Sequence, residues 1–320
     1  MDLQHPSFFI FGPERSGTTL LTFLLSGQPD VFVLNDSYVF DRYVEWALLG
    51  DRNGRLPKAK RMTRLVAGLA PSIRPSFRRK TCSLRQVYYA ARGRYALRFQ
   101  PDDVVSADEA RGYHRVLKAR YLGSPTSGRS RFHTEYVEGI PQLDDDVTIR
   151  DLLSWTINSI SSLFIDSHQA VLGEKTPIHT PYAEWIKCLY PFSKRILMVR
   201  DPVANVASIH RRYGDFDRAV RTYDMYAECL MTLGSKSDAL VVTHEDLTSS
   251  TRSTLGQILS FLDPSLSLDE TCPVNAYTKS EYTGRAVDKG RVSMAPNTLS
   301  TAQANLVAAR FRPIRQRFYG

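Results

Sequence analysis

Short apolar runs alternate with stretches of helical spacing along this chain of 320 residues. Phe8–Phe11 is an uninterrupted apolar run, which is typical of a strand buried on both faces of a parallel sheet. Similar runs predict strands at residues 31–34, 170–172, 195–199 and 239–243. Amphipathic segments predict helices at residues 18–26, 38–49, 58–69, 84–97, 107–122, 148–165, 181–189, 216–233, 251–262 and 300–317. This alternation predicts an α/β protein in three layers, with a central parallel sheet flanked by helices.

A glycine-containing loop follows the first strand, with the letters GPERSGTT at residues 12–19. A strand, a glycine loop and a helix together place backbone N–H groups and a helix N-terminus around one anion. Gly12 and Gly17 permit backbone angles and a close approach that side chains would block. We therefore predict a P-loop-like fold with a phosphate-binding loop. The alternative is a glycine turn that only connects the strand to the helix.

The residues of this loop indicate which phosphate it binds. Nucleotide-hydrolysing loops read G-x-x-x-x-G-K-[ST], and their lysine reaches the β- and γ-phosphates. Thr18 occupies the lysine position here, and the cation of the loop is Arg15. The loop resembles the 5′-phosphosulfate loop of sulfotransferases that use 3′-phosphoadenosine 5′-phosphosulfate (PAPS), above all the tyrosylprotein, heparan and bacterial enzymes. The resemblance implies that PAPS, whose product is adenosine 3′,5′-bisphosphate, is bound by Arg15, Ser16, Gly17, Thr18 and Thr19. It also implies a catalytic role for Arg15, which would stabilise the charge that develops during sulfonate transfer.

An acidic residue follows the second predicted strand, where a strand end opens towards the crevice of a parallel sheet. The letters QPDVFVLND at residues 28–36 resemble the HPDV…E stretch of tyrosylprotein and heparan sulfotransferases. A glutamate of that stretch deprotonates the acceptor, so the resemblance implies that Asp36 is the catalytic base. The alternative is that Asp36 caps the helix beginning near Tyr38.

The letters GEKTP at residues 173–177 resemble a motif of the same group, in which the lysine sits beside the transferred sulfonate. The resemblance implies a catalytic Lys175, which can stabilise the bridging oxygen as the S–O bond breaks. The alternative is a surface lysine before a proline turn. His179 is predicted to be structural, because Pro177 occupies the position of the catalytic histidine of cytosolic sulfotransferases.

Three later motifs resemble parts of the family's cofactor site. Arg200 is followed eight residues later by Ser208, which resembles the site for the 3′-phosphate, where a guanidinium gives a forked contact. The letters HEDL resemble the family's YEDL, so His244 is predicted to pack near the adenine or to serve in the core or as a cap. The letters DKGR resemble a basic loop that closes over the 3′-phosphate, which implies cofactor contacts from Lys289, Gly290 and Arg291.

Positive charge is concentrated in one segment of the chain. The net charge is +9, and residues 52–100 contain fourteen lysines and arginines with no aspartate or glutamate. Nothing in this segment resembles the family core. We therefore predict a single sulfotransferase domain, with a core at residues 1–49 and 147–320 and an inserted, basic helical cap at about residues 50–146. The cap would shape the acceptor pocket, and the alternative is a solvated basic face or loop.

The basic segment suits an anionic acceptor, an acidic carrier protein or peripheral contact with an anionic membrane. Nucleic acid is not favoured, because no recognisable binding module surrounds the segment. The acceptor is expected to be a small molecule or a carrier-tethered group, and the sequence specifies neither its identity nor the oligomeric state. The four cysteines show no C-x-x-C pair, and neither a membrane span nor a signal peptide is evident, which predicts a reduced, cytoplasmic protein.

We therefore predict an enzyme that transfers a sulfonate from PAPS to a hydroxyl or an amine by in-line displacement. No metal is expected, since no carboxylate cluster stands beside the loop to hold Mg²⁺. One alternative is a nucleotide kinase with a variant loop, although the missing lysine counts against it. The other is a non-catalytic protein whose basic segment engages an anionic partner.

Overall fold

The fold was analysed in a computed structural model, which describes residues 5–49, 93, 96–122, 132–165, 171–269 and 298–320. The chain divides into two compact units. The sheet unit comprises Ser7–Asn35, His168–Thr180 and Ser193–Gly320. The helical unit comprises Met1–Pro6, Asp36–Ser167 and Pro181–Phe192. The proposed cap boundaries stay a prediction, because much of residues 50–146 lies outside the described residues.

The strands of the sheet unit confirm the predicted central parallel sheet. The described strands are β1 (Phe8–Phe11), β2 (Val31–Asn35), β5 (Val171–Lys175), β6 (Lys194–Val199) and β7 (Ala239–Thr243). They pair in parallel in the order β2-β5-β1-β6-β7. Because all of them run the same way, their carboxyl ends lie at one edge, where ligands of open α/β sheets bind.

Helices flank this sheet. They are α1 (Thr18–Ser26), α7 (Pro202–Tyr213), α8 (Phe216–Leu233), α9 (His244–Ser249), α10 (Thr251–Leu262), α11 (Thr301–Arg310) and α12 (Arg312–Tyr319). Apolar side chains of the strands, of α1 and of α10 form a common core, including Phe8, Leu25, Val33, Met198 and Leu259. Apolar residues on both faces of the central strands explain why those strands read as continuous apolar runs.

The helical unit contains α2 (Val39–Leu49), α3 (Ala107–Leu122), α4 (Phe132–Glu138), α5 (Ile149–Ser161) and α6 (Ala183–Leu189). A short antiparallel pair, β3 (Val104–Val105) and β4 (Val147–Thr148), accompanies them. A 3₁₀ helix, Pro177–Tyr182, precedes α6. The core of this unit is aromatic: the rings of Tyr43 and Trp185 stack at 6.0 Å, and Tyr113 meets Tyr43 edge-on at 5.5 Å.

Several boundaries differ from the sequence prediction; the helix predicted at residues 148–165, for example, ends at Ser161. Glu174 and Lys175 belong to β5 and not to the following turn, because Leu34 and Asn35 of β2 pair with them. The single closing helix predicted at residues 300–317 is wrong, since the chain breaks at Phe311 into α11 and α12. Pro313 explains the break: it cannot donate within a helix interior but is tolerated in a first turn. The predicted helices at residues 58–69 and 84–97 lie largely outside the described residues.

Close packing of β5 against β1 yields a stability prediction. A Cβ added at Gly173 would lie 2.3–2.6 Å from ring atoms of Phe8. We expect Gly173→Ala to lower the free energy of unfolding by about 1–3 kcal/mol, because the ring has to move within a packed core. Urea unfolding of both proteins measures this change. Gly256→Ala in α10 is the matched control, since its Cβ would meet no atom within 4 Å and should stabilise the helix by about 0.5–1 kcal/mol. Equal changes in the free energy of unfolding of the two variants would contradict the close packing of Gly173 against Phe8.

Candidate functional site

The loop between β1 and α1 depends on both of its glycines. Gly12 has φ 154°, and a Cβ there would lie 2.5 Å from the carbonyl oxygen of Met198. Gly17, at the N-terminus of α1, has φ 101°, and its Cβ would lie 2.6 Å from the ring of His244. No side chain caps this helix N-terminus among the described residues. The first amides of α1 therefore lie in the arrangement that binds anions at helix N-termini.

Side chains from β6 and α7 hold the carbonyl groups of the loop. Asn205 Nδ2 donates to the carbonyl oxygen of Glu14 at 2.9 Å, and the Arg200 guanidinium donates to that of Arg15 at 3.1 Å. Arg15 itself has φ 66°, a left-handed conformation that costs energy for a residue other than glycine. Two neighbouring carbonyl groups are thus bound to the framework, which fixes this strained turn.

Three of the sequence-predicted residues meet in this turn. Arg15 Nε lies 3.4 Å from Ser208 Oγ, while Arg200 contacts the Arg15 backbone. The structure thus brings Arg15, Arg200 and Ser208 together. Asp201 fixes the intervening helix, because its side chain caps α7 by accepting from the N–H groups of Val203 and Ala204.

Arg200 is a buried cation. Its side chain is 6% exposed, its Nε atom has no hydrogen-bond partner, and it forms no ion pair with any described residue. Burial lowers the pKa of Arg200 below its ordinary value; nearby Glu245 opposes this effect, and Arg15 and Arg211 add to it. A buried charge is normally paired. Arg200 therefore has both a charge and an N–H group that an anion would satisfy.

Lys175 and Thr19 meet near the N-terminus of α1. Lys175 is fully buried at the end of β5, and its Nζ donates to Thr19 Oγ1 at 3.2 Å. Its position follows from the sheet register, in which it pairs with Ile10 and Asn35. A helix N-terminus carries partial positive charge, so a lysine close to it favours an anion that interacts with both.

His244 packs against Gly17 as a neutral ring. It is the first residue of α9, and its Nδ1 is buried without a hydrogen-bond partner among the described residues. Burial, together with the nearby Arg200 charge, lowers the pKa of His244 to about 3. The imidazole is consequently uncharged across the physiological pH range.

Asp36 belongs to the helical unit, at a turn directly after β2. Asp36 and Tyr38 both have left-handed backbone angles, with φ 54° and 56°. Ser37 between them accepts a hydrogen bond from the Tyr121 hydroxyl at its carbonyl oxygen. Arg120 lies over the Tyr38 ring, with 4.2 Å from its Cζ atom to the ring centroid. The last turn of α3 therefore holds this strained turn in place.

His179 and Glu174 form a buried pair beside the loop. His179 Nδ1 lies 3.1 Å from Glu174 Oε2, and Thr176 Oγ1 donates to Glu174 Oε1 at 2.6 Å. These contacts fix the turn that carries Thr180, whose Oγ1 accepts from the N–H of Gly12 at 2.9 Å. The placement of His179 agrees with a structural role.

Sequence analysis did not single out Thr180, Asn205 or Glu245. Asn205 was detectable in principle, because it lies one helical turn before Ser208 on the same face of α7. Thr180 and Glu245 act through contacts that no local motif encodes. The predicted cofactor residues Lys289, Gly290 and Arg291 lie outside the described residues.

Within the part of the chain that the structure describes, no group of three or more histidine, cysteine, aspartate or glutamate residues could hold a metal ion. None of the helices there is long and apolar enough to cross a membrane.

Comparisons with known proteins found a matching family and similar folds. A sequence model described as "Sulfotransferase family" matches residues 6–267. Among solved structures, the sulfotransferase domain of the Synechococcus PCC 7002 olefin synthase is 16% identical with a TM-score of 0.52, covering 98% of this chain and 97% of that one. A sulfotransferase domain from the curacin biosynthetic pathway is 11% identical with a TM-score of 0.50, covering 97% of this chain and 98% of its own. No curated protein matched the sequence.

The low pKa of His244 yields a prediction about pH. Between about pH 6.5 and pH 3 the unfolded chain binds a proton at His244 that the folded protein excludes, so the free energy of unfolding falls as the pH falls. Between pH 6.5 and pH 5, we expect the free energy of unfolding of the wild type to fall by about 1–2 kcal/mol more than that of His244→Gln. Urea unfolding of both proteins at each pH measures the difference. Burial also lowers the pKa of His114, to about 4. Because His114 is present in both proteins, its contribution cancels in the comparison. Parallel pH curves would contradict the burial of an uncharged His244.

Proposed function

Because the chain belongs to the sulfotransferase family, we propose that it transfers the sulfonate group of PAPS to a hydroxyl or an amine of an acceptor. The observation that supports this most strongly is the buried guanidinium of Arg200, which has an unpaired Nε and lies beside Arg15 and Ser208. Neither the kinase nor the non-catalytic alternative is favoured by the family membership.

The described residues suit a ligand with two anionic ends. Arg200 would hold the 3′-phosphate through forked, charge-assisted hydrogen bonds, and the Ser208 hydroxyl would add one more. Arg15, the cation of the loop, would serve the 5′-phosphosulfate. The 5′-phosphosulfate would lie against Gly17, Thr18 and Thr19 at the N-terminus of α1, with Lys175 beside Thr19. The unpaired Arg200 Nε and the close backbone approach at both loop glycines support this fit. His244 would border the nucleotide as an uncharged ring.

Bound PAPS supplies a sulfonate that moves from the 5′-phosphate to the acceptor by in-line displacement. Lys175 and the first amides of α1 would stabilise the negative charge that develops there, since they are fixed before the reaction and need no reorganisation. Asp36 would accept the proton of the acceptor hydroxyl. It directly follows Asn35, whose backbone pairs with Lys175. The strained turn at Asp36 and Tyr38 supports a functional role, because such strain is concentrated at active sites.

Calorimetry with adenosine 3′,5′-bisphosphate tests the cofactor site. We expect the wild type to bind it with micromolar or better affinity and Arg200→Ala to bind it at least about tenfold more weakly, because charge-assisted hydrogen bonds are lost. Affinity for adenosine 5′-phosphosulfate, which has no 3′-phosphate, should change little. Lys236→Ala is the control for net charge, since Lys236 is exposed at the other end of β7. Equal losses for the two ligands would contradict the assignment.

Asp36→Asn tests the catalytic base. We expect a rate of transfer from labelled PAPS at least about 100-fold lower, because the amide cannot accept the proton. The acceptors are a panel of phenols, sugars, amines and carrier-tethered hydroxyacyl groups, first screened with the wild type. Affinity for adenosine 3′,5′-bisphosphate should be retained, which confirms that the variant is folded. Undiminished transfer would remove Asp36 as the base.

A further inference from the structure

Glu245 is a carboxylate close to Arg200 that does not pair with it. Among the charged groups near Arg200, Glu245 has the strongest effect on it, and that effect is attractive. Yet Arg200 forms no ion pair with any described residue, and its guanidinium donates instead to the carbonyl oxygen of Arg15. A guanidinium as buried as that of Arg200 attracts a nearby carboxylate, and the two groups can form a forked pair. Something therefore keeps these two groups apart.

Two donors hold the Glu245 carboxylate in its observed position. Its Oε2 accepts from the Tyr319 hydroxyl at 2.7 Å. Its Oε1 accepts from the backbone N–H of Asp201, the residue after Arg200, at 3.3 Å. The bond to Tyr319 is the shorter of the two. Both carboxylate oxygens are thus occupied by groups other than the Arg200 guanidinium.

Tyr319 is itself fixed by the packing of α12. Arg315 in the same helix forms an ion pair with Asp201, with Nε 2.9 Å from Oδ2. Phe311, which precedes the helix, meets the Tyr223 ring edge-on at 4.7 Å. These contacts anchor the first turns of the helix, at whose last residue the hydroxyl lies. The packing of the helix thus brings Tyr319 beside Glu245.

We propose that Tyr319 is a positioning residue of the cofactor site, which holds Glu245 away from Arg200 so that the guanidinium remains available to a phosphate. The inference rests on the proposed function, in which Arg200 binds the 3′-phosphate. Without the hydroxyl, Glu245 turns to Arg200, and a phosphate then has to displace a carboxylate before it can bind.

Tyr319→Phe is the direct test, since it removes the hydroxyl and keeps the ring. Calorimetry should show binding of adenosine 3′,5′-bisphosphate weakened about tenfold, with binding of adenosine 5′-monophosphate unchanged, because only the first ligand contacts Arg200 through a 3′-phosphate. The double variant Tyr319→Phe/Glu245→Gln should recover wild-type affinity or exceed it, because the uncharged amide no longer competes for Arg200. Rescue by a second substitution separates this role from a merely structural one.

Arg317→Ala is the matched control on the same helix. It removes a bond from the Arg317 guanidinium to the carbonyl oxygen of Gly234 at 3.1 Å and should leave the affinity for both nucleotides unchanged. The inference alone would be overturned if Tyr319→Phe bound adenosine 3′,5′-bisphosphate as tightly as the wild type. It would also be overturned if the double variant did not recover the affinity that Tyr319→Phe loses. A wild type that binds the two nucleotides equally well would overturn the proposed function and this inference with it.

Discussion

The site depends on a buried guanidinium that forms no ion pair with any described residue. Removing a charge from water is costly unless it is paired, and the guanidinium of Arg200 donates to a backbone carbonyl while the Glu245 carboxylate lies near it without pairing. The neighbouring Arg15 and the burial itself add to the cost. Such an arrangement is unfavourable within the protein alone and would become favourable if a dianion were bound. This difference is the physical basis for proposing a ligand with a phosphate group.

The fold assembles this site through the parallel sheet. The strands β1, β5, β6 and β7 end at the same edge of the sheet because all of them run the same way, so the candidate site residues that follow them lie at that edge. Arg200 also supports the loop, because it donates to the Arg15 carbonyl oxygen while Asn205 donates to that of Glu14. The loop carbonyl groups therefore have two supports, one from Arg200 and one from Asn205.

Local patterns were sufficient to predict the parallel sheet and the glycine loop that joins β1 to α1. Short stretches of sequence contain both patterns: the apolar run Phe8–Phe11 followed by two glycines, and Arg200 eight residues before Ser208. The structure shows β1 at the first of these stretches. Long-range partners were not predictable in this way. The hydrogen bonds between Thr180 and Gly12 and between Tyr319 and Glu245 depend on tertiary packing between distant segments. β5 extends through Lys175 because it pairs with β2, and the residues of β5 alone do not specify this pairing.

A crystal structure with adenosine 3′,5′-bisphosphate tests the central claim most directly. The account predicts a 3′-phosphate oxygen within hydrogen-bond distance of Arg200 Nε, with Ser208 as a further contact and the 5′-phosphate at the loop of Arg15 and the N-terminus of α1. A nucleotide bound elsewhere, or bound with Arg200 Nε still unpartnered, would contradict it.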